Sequence, residues 1–585
     1  MTSIHHYLTT AIQEAFKTQG LDLKWGSVKS ADRPDLADYQ CNGALGAAKQ
    51  LGMNPKELGQ RLVDELGLRF PLITFSIAGP GFINMHLTDG LLTQTAKSML
   101  EDDRLQIPKA PPRTIIIDYG GPNAAKPMHV GHLRSSIIGE ALKRLLRFMG
   151  HTVIGDIHLG DWGTQMGMLI YGLAQLHPEW VYFDPNFKGP YPENPPVTLK
   201  DLEDLYPKIS ALSKTDEHVA IQARQATFEL QQGRPGYKAL WHHFVAVSLQ
   251  DMKQQFTKLN VDFDQWFGES RYESRLPSLV QELVDKGIAE NSQGALIVPV
   301  AFPEDKYEIP PLMLQKSDGG YLYATTDLAT IEERTILFKA DEIIYVVDGR
   351  QGLHFEQVFR VAKKMGLPVK THFLGFGTMN GPDNKPFKTR AGGVMRLEDL
   401  IETLEIEARK RLEEAGIAQN FTPQEKEDIA FKVSIAALKF ADLQHDPKQN
   451  YQFDIEKFMS FEGKTGPYLL YAAVRIKSLL KKAEIQNLIP GPLQGPYTPD
   501  ERILILTLIN FPEVLNRAAL NLGPNILCEY IFELAQKFSR FYQNCPVLSE
   551  SQKEIQQSRL NLCVLTLKTV QVILDILGIP IPQQM

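Results

Sequence analysis

Three hydrophobic rhythms succeed one another along the chain. Residues 1 to about 107 open with apolar positions at helical spacing. They then alternate, in Leu72-Ile73-Thr74-Phe75-Ser76-Ile77 and again, past Gly79-Pro80-Gly81, in Phe82-Ile83-Asn84-Met85-His86-Leu87. Period-two alternation on both sides of a Gly-Pro-Gly turn predicts a β-ribbon, and with the preceding helices a small α+β module. The stretch Ile107-Pro108-Lys109-Ala110-Pro111-Pro112 is too rich in proline to continue either pattern and marks the way out of that module.

The second rhythm starts with Thr114-Ile115-Ile116-Ile117-Asp118, a continuous apolar run of the buried-strand type. A polar turn follows, then a helix with Val130, Leu133, Ile137, Ala141, Leu142 and Leu145 on one face, ended by Gly150. A second strand begins near Thr152-Val153-Ile154, so the three elements form a parallel βαβ unit. Residues 176 to 215, with Pro185, Pro190, Pro192, Pro195 and Pro196, break the pattern and predict an insertion, which we extend to about 265. The sheet resumes at Glu342-Ile343-Ile344-Tyr345-Val346-Val347-Asp348, a helix runs to about Met365, and another strand lies around Thr371-His372-Phe373-Leu374. From about 400 the third rhythm is helical, broken at Ile489-Pro490-Gly491-Pro492. The expected architecture is α/β. A Rossmann-like doubly wound parallel sheet (108–400) stands between an N-terminal α+β module (1–107) and a C-terminal α-helical bundle (401–585).

Composition adjusts this picture little. A chain of 585 residues exceeds the size of one hydrophobic core, in line with several units. Apolar residues make up 43% and charged residues 22%, and no run of eighteen uninterrupted apolar residues offers a membrane span. The first residues lack the basic and apolar regions of a secretory leader, so a cytoplasmic location is expected. Cys41, Cys528, Cys545 and Cys563 stand far apart, without the spacing of a zinc knuckle, and are expected as buried thiols. Net charge matters more: at −7 the chain has no overall basic footprint, so any RNA partner requires basic charge to be local.

Candidate chemistry gathers where the first strand gives way to its helix. His129 and His132 in His129-Val130-Gly131-His132 are three apart and share one face of the first turn. A helix N-terminus suits phosphate, two imidazoles there could stabilise charge developing on an α-phosphate and its leaving group, and Gly131 lets a nucleotide approach the backbone. Four residues alone favour surface histidines at a helix cap over this chemistry.

The longer segment Pro122-Asn123-Ala124-Ala125-Lys126-Pro127-Met128-His129-Val130-Gly131-His132-Leu133-Arg134-Ser135 closely resembles the signature of arginyl-tRNA synthetases, which are class I enzymes. Gly160-Asp161-Trp162-Gly163-Thr164-Gln165-Met166-Gly167 is similar to a second signature of that family. In place of the class's Lys-Met-Ser-Lys loop stands Phe387-Lys388-Thr389-Arg390-Ala391-Gly392-Gly393, which resembles a bacterial variant. Arg390 keeps the charge but presents a planar fork, so Lys126 is expected to supply part of the missing ammonium charge beside Lys388 and Arg390.

What the resemblance implies is specific. ATP would meet His129, Gly131, His132 and, less directly, His354. L-arginine would meet Asp118 and Asn123 near its amino and carboxylate groups, Gln351, and Tyr323 with Asp327 at its guanidinium, because planar bidentate recognition of that group calls for carboxylates. tRNA(Arg) would meet Tyr468, Tyr471 and Arg475 on one helical face, together with Phe538, Tyr542 and the terminal Met585; its elbow would meet Phe82 and Asn84 of the ribbon. Aromatics interleaved with a cation suit unstacked bases, and packing inside a bundle suits them as well. The expected reaction is ATP-dependent activation of arginine and transfer to the tRNA 3′ end by a monomer. Mg²⁺ would ride on ATP without protein ligands of its own. Three rivals remain: another class I synthetase, a small-molecule nucleotidyltransferase, which would not need a large helical domain, and a non-catalytic RNA-binding scaffold, which would not need the paired histidines.

Overall fold

The computed structural model describes residues 3–31, 33, 36–381, 383–385, 387, 395–417 and 421–585. In the N-terminal module the expected ribbon pairs Ile73–Ala78 with Phe82–Leu87, Ala78 opposite Phe82, across a turn in which Gly79 and Gly81 have φ of 54° and 131°. Two further short strands, Val28–Ser30 and Tyr39–Cys41, which the hydrophobic pattern does not reveal, extend it to a four-stranded antiparallel sheet. Helices Ile4–Thr18, Gly43–Leu51 and Pro55–Arg69 cover it.

The central sheet is wholly parallel, in the order Lys370–Phe376, Glu342–Asp348, Thr114–Asp118, Thr152–Asp156. Alternation within Thr114–Asp118 sends Ile115 and Ile117 into a core with Leu133 and Ile137 of the helix Val130–Phe148. Ile116 goes to the opposite face, against Leu328, Ile331 and Val358. Helices therefore lie on both faces, as a doubly wound sheet requires. The connection after Thr114–Asp118 leads to one side of the sheet and that after Glu342–Asp348 to the other, so a crevice opens at the carboxyl ends of these neighbouring strands.

The insertion differs from its expected outline. Irregular chain ends at Thr198, whose hydroxyl accepts from the Asp201 N–H, and Leu199–Thr215 is a helix despite Pro207. With Thr164–Leu176, Glu217–Gln231 and Pro235–Lys258 it builds a separate core around Met166, Ile170, Leu205 and Phe244. A small antiparallel sheet, Glu290–Ser292, Ala295–Val298 and Leu312–Gln315, was not foreseen either.

The C-terminal region is a bundle, with the expected break falling between Gly466–Ile485 and Pro499–Ile509. Its first helix, Leu397–Glu414, begins ahead of residue 400 because Leu397, Leu400 and Leu404 already follow the helical pattern. Pro499–Leu520 is apolar enough to cross a membrane, but Asn510 divides it into two helices that pack into the bundle. All four cysteines are free and buried.

Candidate active site

The stacked histidines sit at the carboxyl end of Thr114–Asp118, in the first turn of Val130–Phe148. His129 is the helix N-cap: its Nδ1 accepts from the Gly131 N–H at 3.0 Å, while His132 Nδ1 accepts from the His129 N–H at 3.2 Å. The two imidazoles form a reciprocal capping box, their rings 4.0 Å apart and 28° from parallel. With both Nδ1 atoms accepting, each proton is assigned to Nε2, and among the described residues neither Nε2 has a partner. Burial first, then the neighbouring His129 and Lys126 charges, pushes His132 down to about 3. His129 is lowered by burial and Lys126. The pair is neutral at pH 7 and offers two Nε2–H donors on stacked rings.

This corrects one expectation about the helix N-terminus. The Val130, Gly131 and His132 N–H groups are already bonded, to the Met395 carbonyl, the His129 ring and the His129 carbonyl. The imidazoles, rather than bare backbone donors, remain for phosphate. Gly131 is needed for the cap itself, because a Cβ there would lie 2.7 Å from His129 Cε1.

Across the crevice, Tyr323 is the first residue of the helix Tyr323–Ile336 and 73% exposed, with Asp327 one turn on. Asp327 Oδ2 lies 2.6 Å from His354 Nε2, so the histidine expected beside ATP touches the carboxylate expected for arginine. Gln351 is exposed in the turn after Glu342–Asp348, and Asn123 is exposed where it bridges Gly160. Gly160 is what permits that approach, since a Cβ would fall 2.2 Å from Asn123 Oδ1.

Asp118 does not face the crevice freely. It lies beside Asp156 in the sheet register, and both carboxylates converge on the buried Arg334, whose Nη2 donates at 2.7 and 2.6 Å; Tyr345 completes the cluster. Two adjacent carboxylates at a buried strand end require a cation, so Asp118 serves first to hold Arg334.

The structure adds Glu269, which sequence reasoning missed. Bridges Asp156↔Gln265 and Leu159↔Gly268 lay 265–269 alongside 156–159 and carry Glu269 into the crevice. Burial, then the charges of Asp161 and Asp327, pushes its carboxyl up to about 8. Both Asp161 oxygens accept from Ser270, one from its N–H and one from its hydroxyl, whereas the Glu269 carboxyl has no hydrogen bond or ion pair among the described residues, its backbone N–H donating to the Leu159 carbonyl. A half-buried carboxyl without a cation, beside a second carboxylate, is a site for a cationic ligand. No motif signalled it.

Lys126 approaches the histidines closely enough to depress both, but its Nζ lies 4.8 Å over the ring of Tyr206 from the insertion. Lys388 and Arg390 lie outside the described residues. Their loop is bracketed by Met379–Asn380, paired with Tyr451–Gln452, and by Met395 and Leu397, bonded to Val130 and Met128.

In the bundle, Arg475 stands over the Tyr542 ring at 4.3 Å, Tyr471 is exposed one turn before it, and Tyr468 is half-buried against Phe532. Phe538 is 2% exposed and packs in the core, so it offers no face to a base. In the ribbon Phe82 is half-buried. Asn84 is 5% exposed, its Oδ1 accepting from Gln40 Nε2, and it is likewise not free for RNA. Met585 is half-buried against the core.

A doubly wound parallel sheet with a histidine pair capping the helix at its switch point, joined to a helical bundle, defines the catalytic architecture of class I aminoacyl-tRNA synthetases. Residues 94–455 match the family model "tRNA synthetases class I (R), catalytic domain", 469–585 the DALR anticodon binding domain, and 2–87 the arginyl tRNA synthetase N terminal domain. The chain is 46% identical over 583 residues to the arginine–tRNA ligase of Alkaliphilus oremlandii, covering 99% of each, and 47% identical over 589 residues to that of Maricaulis maris, covering both fully. The arginyl-tRNA synthetase of Plasmodium falciparum has the same fold, with a TM-score of 0.82 at 24% identity over the whole of both chains. The chain belongs to the arginyl-tRNA synthetase family. It is an enzyme, and its reaction is the ligation of arginine to tRNA.

Proposed function

We propose that arginine enters the crevice with its guanidinium between Glu269 and Asp327, beside the Tyr323 hydroxyl, and its amino acid end toward Asn123 and Gln351. The observation that carries this reading is the unpartnered Glu269 next to Asp327, within the same crevice as the histidine pair. The arginine carboxylate attacks the α-phosphorus of ATP, and pyrophosphate leaves with its charge met by His129 and His132 Nε2–H and by Lys126, with Lys388 and Arg390 as further cations. A ribose hydroxyl at the tRNA 3′ end then attacks the adenylate carbonyl and releases AMP. Mg²⁺ accompanies ATP on its phosphates.

For tRNA(Arg) we assign the accessible Tyr471, Arg475 and Tyr542 to the anticodon side, with Tyr468 and Met585 at its margin, and Phe82 of the 1–107 module to the elbow. The division into 108–400 for catalysis and 401–585 for the anticodon follows from these roles. The enzyme acts as a cytoplasmic monomer. ATP–pyrophosphate exchange across a panel of amino acids, with and without tRNA(Arg), tests the whole reading. Exchange that requires arginine and is enabled by tRNA is expected; exchange with another amino acid overturns the pocket assignment.

A further inference from the structure

The helix Leu199–Thr215 of the insertion presents Glu203 and Tyr206, three residues apart and so on one face, to the chain on either side of the histidine pair. Tyr206 takes Lys126, just ahead of the histidines. Glu203 takes Arg396, with Oε2 to Nη2 at 2.7 Å. Arg396 stands where the 381–394 loop rejoins the fold: its backbone bridges His129, while the Val130 N–H donates to Met395 and the Leu397 N–H to Met128. The far root of that loop is fixed separately, by Met379–Asn380 on Tyr451–Gln452. Among the described residues, the near root is the part of this segment that touches the histidines, and the insertion reaches it there.

The pair is sheltered on its carboxylate side. The Glu203 side chain is 7% exposed against 48% for Arg396, and its neighbour Asp251 adds like charge, so without Arg396 the sheltered carboxylate would have no cation beside it among the described residues. A second link, Lys258 to Glu398 at 3.0 Å, joins the insertion to the same helix start but is open to solvent and weak. Nothing in the reaction itself requires a carboxylate at 203, since it lies on a helix with its own core away from the sheet.

We propose that Glu203 is a positioning residue for adenylate formation, acting through Arg396 to press the returning loop segment against His129, while Tyr206 on the same face holds Lys126. The insertion thereby sets where Lys126 and Arg396 stand relative to the imidazole donors. The proposal rests on the reading that these groups meet the ATP phosphates.

The test is steady-state arginylation by the full-length enzyme with tRNA(Arg). Glu203→Gln is expected to lower kcat/KM for ATP by about 10- to 100-fold, the scale of a displacement near one ångström at a reacting centre. KM for arginine and for tRNA should stay within about twofold of wild type, because those sites are untouched. Arg396→Gln should do the same, and combining the two should add little. Glu203→Asp, which keeps the charge, should fall between, and the exchanged pair Glu203→Arg with Arg396→Glu should recover part of the loss. Tyr206→Leu gives an independent handle that leaves the ion pair intact and should also raise KM for ATP. Wild-type kcat/KM for ATP in Glu203→Gln overturns the proposal. So do additive effects of Glu203→Gln and Arg396→Gln, or an equal rise in all three KM values. His132→Asn run alongside tests the underlying reading: if it turns over ATP normally, the phosphate assignment falls whatever Glu203 does.

Discussion

Glu269 is where a single side chain carries the most chemistry. Its carboxyl is pushed up to about 8 by burial and by Asp161 and Asp327, and a guanidinium arriving beside it favours the carboxylate. Arginine binding below pH 8 therefore expels a proton, and affinity is expected to rise with pH toward about 8 and level off above. Calorimetry in buffers of different ionisation enthalpy reads the released proton directly; Glu269→Gln should abolish both the release and the slope. The stability consequence has the opposite sign. The folded pKa lies above the ordinary glutamate value of 4.5, so between about 4.5 and 8 the folded enzyme without arginine binds more protons than the unfolded chain and loses stability as pH rises. Saturating arginine should remove that loss, visible as a ligand-induced rise in Tm that is larger at pH 8 than at pH 6. Asp327 complements Glu269 and also holds His354, so Asp327→Ala should weaken arginine binding by about 2–5 kcal/mol, the cost of truncating one side of a buried charge pair. Near-normal arginine affinity in that variant would defeat the guanidinium assignment.

At the scale of elements, the helix Val130–Phe148 joins a structural role to a chemical one in its first turn, and the two can be separated. Asparagine is a strong N-cap and can replace the Nδ1 acceptor of His129, but it cannot carry a donor to the place of Nε2. His129→Asn should melt within a degree or two of wild type while losing about 10²- to 10³-fold in kcat, the usual cost of one donor to developing charge. A matching loss in Tm would mean that the cap, not the donor, is what the residue supplies. This helix was legible in the sequence because its apolar face, its glycine stop and the strand Thr114–Asp118 before it all agree. Glu269 was not, because the segment that delivers it pairs through isolated bridges and has no periodicity of its own. Nor could spacing tell that Phe538 and Asn84 face inward, since a helix or ribbon pattern fixes which residues share a face but not which neighbour covers it. Asp118 was rightly placed at a strand end, yet its partner Arg334 lies 216 residues away, and only folding brings the two together.

For the molecule as a whole, the question is how the bundle is fastened to the catalytic helix, and Arg134 is the main bolt. Two residues beyond His132, it is buried with its Nε donating to Asp442 Oδ2 at 2.9 Å, on the bundle helix Pro423–Leu443. Its Nη1 donates to the carbonyls of Gly377 and Gln449, both at 2.8 Å, on the chain leading into Met379–Asn380 and Tyr451–Gln452. One guanidinium thus ties together the histidine helix, the bundle and the far root of the 381–394 loop. Removing it strands Asp442 in the interior, where burial already pushes its carboxyl up against the pull of Arg134. Arg134→Met should cost about 3–5 kcal/mol of stability. Adding Asp442→Leu should recover much of that, because an apolar pair of similar volume can break even with a buried ion pair. Activity should not return with it: the Gly377 and Gln449 carbonyls would still lack their donor and the loop root its anchor, so kcat should stay depressed while the denaturation midpoint recovers. A double variant that regained both would show that the pair only stabilises, and that the bundle and the catalytic site are joined through other contacts.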